Sequence, residues 1–169
     1  PDAAIRAERW LRRLEQHQGI AKPTSECYQR VIEAWSRAVN DDPGRVVTRT
    51  ESWLMKHIES TSEELRPNIA CFNAFLDVCT KGWSYKCSKS SKLIRNHAEL
   101  AERVLRFMIS QREKEGARCE LAPDTDSFNF VIRGWTRCRS SPDISERALD
   151  VLQLMEKYNS TADVTVQPN

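Results

Sequence analysis

Apolar residues along this chain recur at helical spacing, in two phrases that alternate. The first phrase appears as KPTSECYQRVIEAW from Lys22, RPNIACFNAFLDVC from Arg66 and APDTDSFNFVIRGW from Ala122. Each copy opens with Pro and a small polar residue, then reaches an aromatic followed at once by an amide: Tyr28-Gln29, Phe72-Asn73 and Phe128-Asn129. Apolar pairs follow (Val31-Ile32, Phe75-Leu76, Val131-Ile132), then Trp35, Cys79 and Trp135. In the third copy Phe128, Val131, Ile132 and Trp135 fall at i, i+3, i+4 and i+7, which is one face of a helix. Asp124 or Thr125 is placed to cap it, with Pro123 marking the turn before.

The second phrase is AERWLRRL (7–14), TESWLMKH (50–57), AERVLRFM (101–108) and ALDVLQLM (148–155). Its first column is small (Ala7, Thr50, Ala101, Ala148). Its fourth is bulky (Trp10, Trp53, Val104, Val151), and its fifth is always Leu (Leu11, Leu54, Leu105, Leu152). Small and large residues three and four apart mark a helix face that a neighbouring helix approaches closely. No sustained period-two alternation occurs. A short ADVTV run near Ala162 is the one candidate strand.

Each unit therefore reads as helix A, a connection, helix B and a loop ending in Pro. The prolines 23, 67, 123 and 168 are separated by 44, 56 and 45 residues. A two-helix unit cannot bury its apolar face alone, whereas stacked copies can. The expectation is an all-α solenoid of stacked helix-turn-helix repeats. A leading helix B occupies 1–23, followed by repeats at 24–68, 69–124 and 125–169, the second carrying a basic insertion at about 82–97. The opening PDAAIRAERWLRRLE reads as the interior of a longer protein.

Composition changes this picture little. Lys and Arg number 26 against 24 Asp and Glu, a net charge of +2, so no overall basic surplus announces a nucleic-acid binder. No apolar run approaches the ~18 residues that a spanning helix needs, so no membrane partner is expected. The six cysteines form no C-x-x-C pair and fit a reducing compartment. Cys71 and Cys79 fall in packing columns. His17, His57 and His97 lie in or beside helix B segments. No Gly-rich phosphate loop, nucleophile motif or metal-spaced cluster is present. The expectation is no enzyme, no cofactor, no metal and no small-molecule substrate. Trp10, Trp35, Trp53 and Trp135 are expected in the core. Trp83 opens KGWSYKCSKSSKLIRNH, where Lys81, Lys86, Lys89, Lys92 and Arg95 precede the first acid, Glu99. That stretch reads either as a solvated loop or as an arm contacting RNA.

With both phrases in view, the chain resembles the pentatricopeptide repeat family, whose pattern runs near P-D-x-x-T-Y-N-x-L-I and then A-L-x-L-F-x-x-M. The likeness covers almost the whole length and is best in the third unit. The units here are longer than the family's usual ones. The resemblance implies a right-handed superhelix, tetratricopeptide-like in plan, and a single-stranded RNA-binding module reading about one base per repeat. It implies a mitochondrial or plastid RNA-processing or translation factor, with no targeting segment visible in this sequence. In the family, the amide after the aromatic and the residue after the closing Pro choose the base. Carried over, these are Gln29 with Asn68, Asn73 with Asp124, and Asn129 with Asn169. In the family Asn with Asp favours uracil and Asn with Asn favours pyrimidines, which implies uracil at the second repeat and a pyrimidine at the third. An ionised Asp accepts hydrogen bonds and cannot donate, which suits a base edge bearing an N–H.

Nine residues past each aromatic stand Arg37, Lys81 and Arg137. In the family this column often contacts phosphate, and three stacked cations would track a strand. The same residues also suit the negative C-terminal end of helix A. Two residues before each aromatic, where the family has an aliphatic residue that sandwiches the base, this chain has Glu26, Ala70 and Asp126. That departure supports the alternative expectation, a protein-interaction scaffold without RNA binding. Stacking is worth roughly 1–3 kcal/mol per base, so three units should bind RNA no tighter than micromolar.

Overall fold

A computed structural model of the chain describes residues 2–16, 22–38, 42–59, 66–81, 91–116, 119–138 and 142–164. Among them the protein is all-α, with seven helices and no strand. They are α1 (Asp2–Gln16), α2 (Ser25–Arg37), α3 (Pro43–Ile58), α4 (Ile69–Lys81), α5 (Ser91–Glu115), α6 (Thr125–Thr136) and α7 (Ile144–Val164). The three copies of the first phrase lie on α2, α4 and α6, and the four copies of the second on α1, α3, α5 and α7.

Local chemistry sets the helix ends. Asp42 accepts from the Arg45 backbone N–H at 3.1 Å, and Pro43 opens α3, where its missing N–H costs nothing. Asn68 Oδ1 accepts from the Cys71 N–H at 3.0 Å. Asp124 and Ser127 form a reciprocal capping box at the start of α6. Past the end of α5, Gly116 takes φ +67°, a left-handed conformation that a side chain would disfavour.

The chain divides into two compact units, Pro1–Lys89 and Ser90–Asn169. In the first, α2 packs against α1, α3 and α4, and α3 packs against α4. The core joins Ala4 and Leu11 to Tyr28, Val31, Ile32 and Trp35, and these to Trp53, Leu54, Phe72, Phe75 and Leu76. In the second unit α6 packs against both α5 and α7. Here Ala98, Ala101, Leu105 and Met108 meet Phe128, Val131, Trp135 and Val151 as buried residues. Burying one such large apolar side chain is worth about 1.5–3 kcal/mol, so these stripes supply most of what holds each unit together.

Three expectations need correction or relocation. Trp10 is not core: it is 63% exposed, whereas Trp53 in the same column is 5% exposed. Burial of that column requires a helix lying against it, and among the described residues none covers Trp10. Ala162 to Val164 end α7 as helix rather than forming a strand. Of the basic stretch at about 82–97, residues 82–90 lie outside the described residues, with Trp83 among them. Residues 91–97 form the opening turns of α5. Arg95 there is held internally: its guanidinium bonds Asp143 through two nitrogens at 3.1 and 2.9 Å, and Nε reaches Glu99 at 2.9 Å.

Candidate nucleic-acid interface

Gln29, Asn73 and Asn129 are each the fifth residue of their helix, in α2, α4 and α6. The buried aromatic before each one fixes the rotation of its helix, so the amide sits at the same angular position every time. Gln29 and Asn73 are half-buried and Asn129 is exposed. Gln29 Nε2 donates to Glu33 Oε1 at 2.8 Å, which leaves its amide oxygen to accept. In the first unit the N-terminal turns of α2 and α4 lie side by side, where the Cys71 thiol reaches the Ser25 carbonyl at 3.9 Å.

The residues after the prolines are helix caps. Asn68 uses its carbonyl oxygen on the Cys71 N–H, and its NH2 group remains to donate. Asp124 Oδ1 accepts from the Ser127 N–H at 2.8 Å and the Ser127 hydroxyl at 2.9 Å. Asn73 belongs to the first compact unit and Asp124 to the second. Asn169 lies outside the described residues.

The three cations occupy equivalent helix ends. Arg37 closes α2, Lys81 closes α4, and Arg137 caps α6; all three are exposed. Lys81 pairs with Asp77 one turn earlier. Each cation also complements the partial negative charge of its helix end. The column before the aromatics is acidic and exposed at Glu26 and Asp126 and half-buried at Ala70. Glu26 is bridged by Arg30 at 3.1 Å. Hydrogen bonds donated to Glu26, then Glu33, hold the Arg30 guanidinium above its ordinary pKa.

Charge is not concentrated on these helices. Along α2, Glu26 and Glu33 balance Arg30 and Arg37; on α4, Asp77 balances Lys81; on α6, Asp126 balances Arg133. The excess cations of the first unit stand on α1, with Arg6, Arg9, Arg12 and Arg13, and on α3, with Arg45, Arg49 and Lys56.

The sequence reading did not anticipate the polar network of α1 and α3. Buried Glu8 accepts from Arg12 at 2.6 Å and from Arg49 at 3.0 Å. Glu15 accepts from the Tyr28 hydroxyl at 2.8 Å and pairs with Lys56. Burial, reinforced by the Glu15 bond, pushes the Tyr28 phenol well above its usual range. One signal was present in the sequence: A-E-R-x-L-R occurs at both 7–12 and 101–106. In each copy the Glu is buried and bonds the Arg four residues on, Glu8 with Arg12 and Glu102 with Arg106.

His57 and His97 are buried packing residues, His57 stacked on Tyr28 with ring centroids 4.5 Å apart. Cys71 and Cys79 are buried in the α4 packing face. Among the described residues no group of three His, Cys, Asp or Glu could hold a metal ion, and no helix is long and apolar enough to cross a membrane. Compared with known proteins, the chain matches no family model, no curated protein and no solved structure.

Proposed function

We propose that the chain is a single-stranded RNA-binding module of pentatricopeptide-like helical hairpins, in which α2, α4 and α6 present the strand-facing residues. The observation that carries this reading is the shared register of an amide at the fifth position and an exposed cation at the far end of each of these helices. Packing alone constrains the aromatic, the aliphatic pair and the closing Trp or Cys. It does not require an amide at one fixed position and a cation at another, three times over. Gln29, Asn73 and Asn129 meet base edges, and Arg37, Lys81 and Arg137 meet phosphates. The stacking of α2 on α1, α3 and α4 within the first unit supports a solenoid plan. By resemblance the module belongs to an organellar RNA-processing factor and has no catalytic role of its own.

The test is fluorescence anisotropy with labelled oligo-U, oligo-C, oligo-A and oligo-G, at low and moderate salt. Asn73→Ala with Asn129→Ala removes amides without touching a cap. The reading expects pyrimidine oligomers to bind in the micromolar range, the double variant to lose that preference, and salt to weaken all binding. Absence of binding to every oligomer at high micromolar protein overturns it.

A second reading, a protein-docking scaffold, is favoured by one specific observation. Leu149 and Leu152 on α7 are 53% and 44% exposed, although the fifth-column leucines Leu11, Leu54 and Leu105 are buried. An apolar pair left open in this way suits a protein surface better than a nucleic acid.

A further inference from the structure

A cleft of about 290 Å³ lies between α1 and α3, at the lower end of volumes that hold small ligands. Arg12, Glu15 and Gln16 line it from α1, and Arg49, Ser52, Trp53 and Lys56 from α3. None of these residues belongs to the helices proposed to read bases.

The simplest account of the cations is that they neutralise two carboxylates removed from water. That account covers part of the arrangement. Glu8, 6% exposed, carries one charge and receives two guanidiniums on a single oxygen. Glu15 has one oxygen on the Tyr28 hydroxyl and the other on Lys56. The carboxylates therefore leave one cation in excess. Glu15, the only acid among the described residues of the wall, already accepts on both oxygens. What remains to face a ligand is donors: most of the N–H groups of Arg12 and Arg49, two on Lys56, the Ser52 hydroxyl and the Gln16 amide.

These donors are also held in place. Arg12 and Arg49 are tethered through buried Glu8. The Arg12 guanidinium lies 5.8 Å, and the Lys56 ammonium 5.2 Å, from the centroid of the Trp53 ring. Trp53 itself is buried, so it forms a floor under the cations and offers no face for a base to stack on. A donor-rich, cation-lined cleft without a stacking surface selects for a compact oxyanion. Two pre-positioned guanidinium forks match the tetrahedral oxygens of phosphate.

We propose that the α1–α3 cleft is a binding site for a phosphate group, held by Arg12, Arg49 and Lys56 with Ser52 and Gln16 as neutral donors. The phosphate is that of a nucleic-acid strand or of a free phosphate compound. The site is independent of base reading, since Gln29, Asn73 and Asn129 lie on other helices.

The experiment is a ¹⁵N NMR titration of the whole chain, following the arginine Nε–H signals and the Trp53 indole N–H, the latter assigned with Trp53→Phe. Inorganic phosphate, pyrophosphate and oligo-U RNA are added separately at constant ionic strength, with chloride as the control. Saturable shifts of the Arg12, Arg49 and Trp53 signals are expected. Arg49→Gln can disturb folding because it uncovers Glu8. Ser52→Glu, on an exposed residue outside the ion-pair network, is therefore the deciding variant, and it should weaken binding about tenfold or more by placing a like charge in the cleft. A response to oligo-U alone assigns the site to a strand backbone, and a response to phosphate or pyrophosphate alone assigns it to a free phosphate compound. Asn73→Ala with Asn129→Ala should leave these shifts intact, so failure of base reading is distinguishable from failure of this site. Shifts that follow chloride equally, or that Ser52→Glu leaves unchanged, overturn the proposal.

Discussion

The indole N–H of Trp135 donates to Glu102 Oε2 at 3.0 Å, joining the end of α6 to the middle of α5 through a buried carboxylate. Arg106 grips the other oxygen through two nitrogens, at 2.9 and 2.8 Å. Trp35 occupies the same column in α2, but its buried indole nitrogen has no hydrogen-bond partner among the described residues. A hydrogen bond to a charged group contributes about 1.5–3 kcal/mol net, whereas an unpaired buried donor costs about 1–3 kcal/mol of lost hydration. Trp135→Phe should therefore destabilise the protein by about 1–3 kcal/mol more than Trp35→Phe, read from urea unfolding followed by circular dichroism. Equal losses would mean that ring packing, rather than the Glu102 bond, explains both.

Asp124 carries two assignments that substitution can separate. Asp124→Ala removes the capping box and should cost about 1 kcal/mol, whereas Asp124→Asn keeps an acceptor for the Ser127 N–H and should cost only a few tenths. If Asp124 also selects a base, Asp124→Asn should shift oligo-U preference while stability holds. Unfolding curves and anisotropy on the same two proteins decide between cap and reader.

His97 links stability to pH. Burial pushes its pKa down from 6.5 to about 4, so the folded protein keeps it neutral. Below about pH 6.5 the unfolded chain takes up a proton that the folded chain refuses. Stability therefore falls as the pH drops from about 6.5 to about 4, by up to about 3 kcal/mol. His97→Gln should flatten that part of the stability profile compared with the parent. An unchanged slope would assign the acid sensitivity to carboxylates instead.

The cysteines should react in an order set by burial. Cys27 is half-buried, whereas Cys71, Cys79 and Cys138 are buried. Loss of hydration raises the thiols of Cys71, Cys79 and Cys138, Cys138 to about 11, so they hold little thiolate at neutral pH. Native-state alkylation followed by peptide mapping should label Cys27 well before these three. Early labelling of Cys79 would show that α4 opens locally.

Charge pairs show where sequence reading stops. Lys81 with Asp77 and Arg30 with Glu26 follow from i,i+4 spacing and can be read along one helix. Arg95 with Asp143 and Arg49 with Glu8 join residues 48 and 41 positions apart, and only packing brings them together. In the sequence Arg95 belonged to a run of free cations, yet the fold spends it on Asp143 and Glu99.

The sequence by itself determined the helices, their caps and their buried stripes. Those depend on residues within a turn or two of one another: Asp124 with Ser127, or Phe128 with Val131 and Trp135. It also placed the three amides and three cations in one register, because helical periodicity alone carries a residue to a face. Tertiary structure decided which equivalent columns are covered. Trp10 and Trp53 share a position in the repeat, as do Leu152 and Leu105, but burial belongs to the neighbouring helix rather than to the residue. Tertiary structure also decided the α1–α3 cleft, whose cations come from segments some forty residues apart: packing brings Arg12 and Arg49 together on Glu8, and Lys56 onto Glu15.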